Sequence, residues 1–77
     1  MQFDHKAVGQ VIRSIRTKKG LSQEVVSGLA GIARTHLSMI EGGTKQANLK
    51  TVWSIAQALN IRPSELIRMI EEEIDVK

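Results

Sequence analysis

The chain has 77 residues, 42% hydrophobic and 25% charged, with a formal net charge of +3. That length leaves room for one domain around one modest core and argues against an enzyme built on a deep pocket, while the apolar content is too high for a disordered chain. With no cysteine there is neither a disulfide framework nor a thiolate metal site, so a reducing cytoplasm is the expected compartment.

The charge is unevenly placed. Residues 1–70 carry ten Lys and Arg against Asp4, Glu24, Glu41 and Glu65, a body of +6, whereas the last seven residues, with Glu71, Glu72, Glu73 and Asp75, sum to −3. A basic body suits a polyanionic partner. The N-terminal Met-Gln-Phe-Asp-His-Lys lacks the apolar core of a signal peptide, and no apolar run is long enough to span a membrane, so neither export nor membrane insertion is expected.

Val8, Ile12 and Ile15 recur at three- and four-residue spacing and predict a first helix from about Ala7 to Lys19, closed by Gly20. Ser22 is a good N-cap for a second helix, Gln23 to about Ala30, with Val26, Leu29 and Ala30 turned inward; Gly31 ends it. A third runs from Arg34 to about Glu41 with Leu37 and Ile40 inward, stopped by Gly42-Gly43. Asn48 caps a fourth, Leu49 to Leu59, whose inner face is Leu49, Val52, Ile55, Ala56 and Leu59. Pro63 opens a fifth that continues through Leu66, Ile67 and Ile70 to about Ile74, since its missing N–H has no intrahelical partner in the first turn. No strand is predicted. The fold class is all-α, one domain over residues 1–77.

The informative segment is about residues 22–41: short helix, glycine turn, short helix. Two helices meeting steeply need a small residue where they cross, a glycine in the turn and apolar residues at fixed inner positions. Ser27, Gly31 and the set Val26, Ala30, Ile32, Leu37 and Ile40 supply them.

Across roughly residues 7 to 70 the chain resembles the Cro/repressor, or XRE-like, helix-turn-helix family. The residues that carry the likeness are Val8-Gly9-Gln10-Val11-Ile12-Arg13-Ser14-Ile15-Arg16, Leu21-Ser22-Gln23-Glu24, Gly31 to Gly43, and Leu49 to Leu59 followed by Asn60-Ile61. Short controller proteins of restriction-modification systems and small phage repressors are the most similar subfamilies. The resemblance implies a five-helix, lambda-repressor-like domain acting as a sequence-specific transcriptional regulator. The chain departs from the family pattern at Ser27, where alanine is usual, and at Ala33, where a serine or threonine cap is common.

In this fold the second helix of the motif lies in the major groove with its N-terminal residues at the base edges. Arg34, Thr35 and His36 open that helix, and Met39 follows a turn later; these are the candidate base contacts. A guanidinium can pair with guanine O6 and N7, worth about 1–3 kcal/mol of discrimination, with phosphate contact as the alternative use of Arg34. Ser38, with Gln23 at the start of the second helix and Thr44, Lys45 and Gln46 in the loop after the third, are the candidate backbone contacts; the resemblance implies that Gln23 touches a phosphate and braces the recognition helix. The family pattern also places Arg16 and Glu41 together as a structural ion pair, which at the surface would stabilise by only ~0–1 kcal/mol.

Trp53 lies off the inner stripe of the fourth helix, and the fifth offers Leu66, Ile67, Ile70 and Ile74, more apolar area than one side of so small a core needs. These five are the candidate dimer contacts. A two-fold dimer would set two recognition helices about 34 Å apart and predicts a roughly palindromic operator. Double-stranded DNA and a second copy are thus the expected partners; no cofactor, metal, membrane or small-molecule ligand is indicated. The alternative function is an antitoxin-like or protein-interaction module, which calls for a more apolar outer face than Arg34-Thr35-His36. Enzyme chemistry is not expected, because no metal-ligand cluster, phosphate-cradling glycine loop or nucleophile with a base is present.

Overall fold

The computed structural model describes residues 1–76. Its helices in chain order are α1 (His5–Lys18), α2 (Gln23–Ala30), α3 (Arg34–Glu41), α4 (Leu49–Ala58) and α5 (Pro63–Val76), and no strand occurs among the described residues. α1 starts ahead of the expected Ala7 because Asp4 caps it, its carboxylate accepting from the Lys6 N–H at 2.9 Å. Ser22 and Asn48 do the same for α2 and α4, accepting from the amides of Val25 and Thr51 at 3.1 and 2.8 Å. Each cap satisfies one of the N–H groups that a helix start leaves without an internal partner. α3 has no such bond, since Ala33 carries no side-chain acceptor.

The turn between α2 and α3 rests on Gly31, which closes α2 at φ 73° and ψ 28°. Its N–H reaches the Gly28 carbonyl at 3.3 Å, and the Ile32 N–H reaches the Ser27 carbonyl at 3.0 Å. These bonds satisfy the last carbonyls of α2 while turning the chain sharply, a conformation open to glycine at no steric cost.

α1 packs on α3 and α5, α2 on α3 and α4, and α4 on α5. Between them lie Ile12, Val26, Leu37, Ile40, Ile55, Leu59 and Leu66, a core to which every helix contributes. Four residues depart from their expected places. Leu29 is exposed, because the buried arc of α2 is centred on Val26, Ser27 and half-buried Ala30 and leaves Leu29 beside Val25 on the outside. Leu49 is exposed as well: as the first residue of α4 it lies beyond the edge of the core, and the inner face begins at Val52. Leu66 and Ile70, expected at a dimer contact, are buried within the protomer's own core, Leu66 completely and Ile70 with only an edge at the floor of a surface groove. Only one edge of the α5 apolar face remains, with Ile67 exposed and Ile74 half-buried.

Gly9 sets the distance between α1 and α3. A Cβ there would overlap the carbonyl oxygen of Ile40 and stand 2.8 Å from that of Glu41, so the backbones touch where a side chain would force them apart. Gly28, by contrast, has open space around it and helical geometry. Gly9→Ala is expected to destabilise by about 3 kcal/mol, the upper end for overpacking, because a backbone carbonyl cannot swing aside. Gly28→Ala should instead stabilise by about 0.5–1 kcal/mol, the cost of an interior helical glycine. Urea midpoints for the two variants, shifting in opposite directions, check both.

Candidate nucleic-acid interface

Leu37 and Ile40 pin α3 to the core, and at 100° per residue this turns Thr35, Ser38 and Met39 outward, with Arg34 at the opening of the helix. All four are exposed. His36 is half-buried on the flank of α3, away from Ser38, and so is set apart from the outward stripe. The stripe therefore offers a guanidinium, two hydroxyls and a thioether.

The loop after α3 is tied to the end of that helix. The Met39 carbonyl accepts from the N–H groups of Thr44 and Lys45 at 3.0 and 3.3 Å and from the Thr44 hydroxyl at 3.2 Å. Thr44, Lys45 and Gln46 are all exposed, and these bonds hold the first two beside the outward stripe. The Lys6 side chain, exposed at its end, lies along Gly43, where an added Cβ would come within 2.9 Å of its Cγ. Lys6 thus brings a further cation to this loop. The sequence carries no signal for it, since only the packing of α1 on the end of α3 places the two together.

Behind the stripe is a buried polar cluster. Arg16 Nε donates to Glu41 Oε2 at 2.7 Å and Nη2 to Oε1 at 2.9 Å, while Nη1 donates to the Leu21 carbonyl at 2.8 Å. Gln23 Nε2 donates to Glu41 Oε1 at 3.0 Å. The Glu41 side chain is only 2% exposed and that of Arg16 11%, so the small surface value expected for this pair does not apply. Among the described residues no buried side-chain nitrogen or oxygen lacks a partner. The hydrogen bond to Glu41, opposed by desolvation, raises the Arg16 pKa above its ordinary value. A group held protonated in this way contributes below the unfolded-state pKa and loses its effect only as pH rises through the higher folded-state one. Arg16 therefore adds no pH dependence near neutrality.

Two short helices crossing at a left-handed glycine, with a polar stripe on the second and a cationic loop tethered behind it, define a helix-turn-helix DNA-binding protein. The chain belongs to the helix-turn-helix family, whose model matches residues 12–66, a family of DNA-binding transcription regulators. It is 37% identical over 60 residues to the control protein C.BamHI of Bacillus amyloliquefaciens, covering 77% of this chain and 74% of that one. The restriction-modification controller protein C.AhdI from Aeromonas hydrophila superposes with a TM-score of 0.78 at 40% identity, over 82% of this chain and 96% of the other. The controller protein C.Esp1396I, solved as a tetramer in complex with its natural 35 base-pair operator, superposes with a TM-score of 0.86 at 28% identity, over 96% of this chain and 97% of that one.

Removing one partner of a buried ion pair strands the other charge, at a cost of roughly 3–5 kcal/mol. Glu41→Ala should lose about that much in chemical denaturation. The double change Arg16→Met with Glu41→Leu should recover most of it, because neither charge is then left in the core.

Proposed function

We propose that this protein is a homodimeric transcriptional regulator that binds a roughly palindromic operator, with α3 in the major groove. The observation that carries this reading is the exposed stripe Arg34, Thr35, Ser38 and Met39 on a helix whose opposite side is locked into the core. Arg34 reads a guanine through paired hydrogen bonds; Thr35 and Met39 present a hydroxyl and an apolar group to neighbouring bases. Half-buried His36 reaches the duplex from the flank of the helix, in a lesser role.

Gln23, Ser38, Lys45 and Gln46 take the sugar-phosphate backbone. Gln23 spends one amide hydrogen on Glu41 and has a second for a phosphate, so the ion pair orients a DNA contact as well as the fold. The Thr44 hydroxyl proton is engaged by the Met39 carbonyl, which makes Thr44 a tether for Lys45 rather than a phosphate donor. In the dimer, Trp53 and Ile67 meet their counterparts, with Ile74 at the margin.

The whole of residues 1–77 acts as one DNA-binding domain in the cytoplasm, without catalytic activity. No helix among the described residues is long and apolar enough to cross a membrane, and no cluster of three His, Cys, Asp or Glu side chains among them could hold a metal. The competing role as a protein-docking module is disfavoured by the polarity of the stripe.

Selection of bound duplexes from a random pool at physiological salt should return a motif with two-fold symmetry; absence of any enriched motif would overturn the reading. Against that motif, Arg34→Ala should lose preference at one or two base pairs, about 1–3 kcal/mol each. Lys45→Ala should weaken every sequence alike and lower the salt slope by about 1. Equal, sequence-independent losses in both variants would move Arg34 from the bases to the phosphates.

A further inference from the structure

We infer that the N-terminal segment Met1–Phe3 is part of the dimer interface, with Phe3 closing an apolar surface that α4 and α5 leave incomplete. This rests on the homodimer proposed above and adds to it a contact outside the helices. Phe3 is the single phenylalanine of the chain, and it is 62% exposed. Its position is set by Asp4, which both caps α1 through its carboxylate and accepts the Ala7 N–H on its carbonyl at 3.1 Å. The chain ahead of Asp4 then lies over the α4 and α5 surface, where Met1 and Phe3 form a groove of about 410 Å³ with Leu49, Ile67 and Ile74. An adjoining groove shares Leu49 and Ile67 and carries Trp53 on its far side, so the apolar surface is continuous from Phe3 to Trp53.

The area argues for a second copy as the occupant. Leu49, Trp53 and Ile67 are 67%, 51% and 44% exposed. On side-chain areas of about 150–250 Å², they offer roughly 300 Å² per protomer, or roughly 600 Å² for a two-fold contact. That is within the range of incidental contacts, mostly under ~800 Å², and half of the ~1,200 Å² at which specific interfaces begin. Met1, 75% exposed, and Phe3 bring the pair close to that threshold, adding roughly 250 Å² on each side. The surface of α4 and α5 alone falls far short of a specific interface, and the N-terminal segment supplies most of the shortfall. The same addition accounts for Leu49, which the core of the protomer leaves uncovered.

Sedimentation equilibrium of the full chain tests this, with Phe3→Ala, Phe3→Leu and, as a control, Leu29→Ala, an exposed leucine on α2 outside the surface. Wild type should be a dimer, and Phe3→Ala should raise its dissociation constant ten-fold or more with unchanged helical circular dichroism. Phe3→Leu should restore most of the affinity, and Leu29→Ala should match wild type. A dimeric wild type whose dissociation constant is unmoved by Phe3→Ala, or moved no more than by Leu29→Ala, overturns the role of the segment and leaves the dimer standing. A wild type that stays monomeric to millimolar concentration overturns both.

Discussion

The structure depends on a carboxylate at the end of α3 that has almost no contact with water. A charge at that depth is tolerated only when it is paired and hydrogen-bonded. Glu41 draws its partners from elsewhere in the chain, with Arg16 arriving from α1 and Gln23 from the first residue of α2. The guanidinium also holds the Leu21 carbonyl, so the link between α1 and α2 is bound into the same cluster. Hydrophobic packing is non-directional and would permit α3 to roll or slide; bidentate bonds to one carboxylate do not. The orientation of the outward stripe is therefore decided from behind, by a buried ion pair to which Gln23 is joined.

Gly9 makes that arrangement possible. The guanidinium can reach Glu41 in its two-point geometry only if α1 lies close on the end of α3, and the missing side chain at Gly9 allows the approach. The same closeness brings Lys6 alongside Gly43 and the loop tethered to Met39. One unoccupied volume in α1 thus governs both the ion pair and the placement of a cation near the proposed backbone contacts.

The molecule divides its surface by chemistry. Around α3 and its loop the exposed groups include Arg34, Thr35, Ser38 and Lys45, suited to a hydrated polyanion, with Met39 the apolar member. Across α4, α5 and the N-terminal residues they are Leu49, Trp53, Ile67 and Phe3, suited to exclusion of water. Four of the eight acidic residues fall at the end of α5, where Glu72 pairs with Arg68 at 3.1 Å in an exposed, one-turn contact. A domain with so small a core cannot cover both faces of its last two helices, and the surplus apolar area is what a second copy would bury.

Local chemistry was legible in the chain itself. Ser22, Asn48 and Gly31 mark helix ends by hydrogen-bonding capacity and backbone freedom, properties of single residues and their near neighbours, and α2 and α3 have the bounds those signals imply. Asp4 carries an equal signal, ahead of the apolar stripe that begins at Val8. What periodicity could not resolve was the centre of each buried arc. A leucine at a helical edge satisfies the pattern whether it points in or out, so Leu29 and Leu49 fit an inner face on paper yet stand exposed. Leu66 and Ile70 could not be divided between the protomer's own core and a partner, because hydrophobic spacing says that a face is covered and not by what. Single-residue stereochemistry, then, decided where helices start and stop and that the chain is a helix-turn-helix. Only tertiary packing decided which apolar residues remain in water, how deep the Arg16–Glu41 pair lies and which cations gather at the recognition helix, because burial is a property of neighbours distant in sequence.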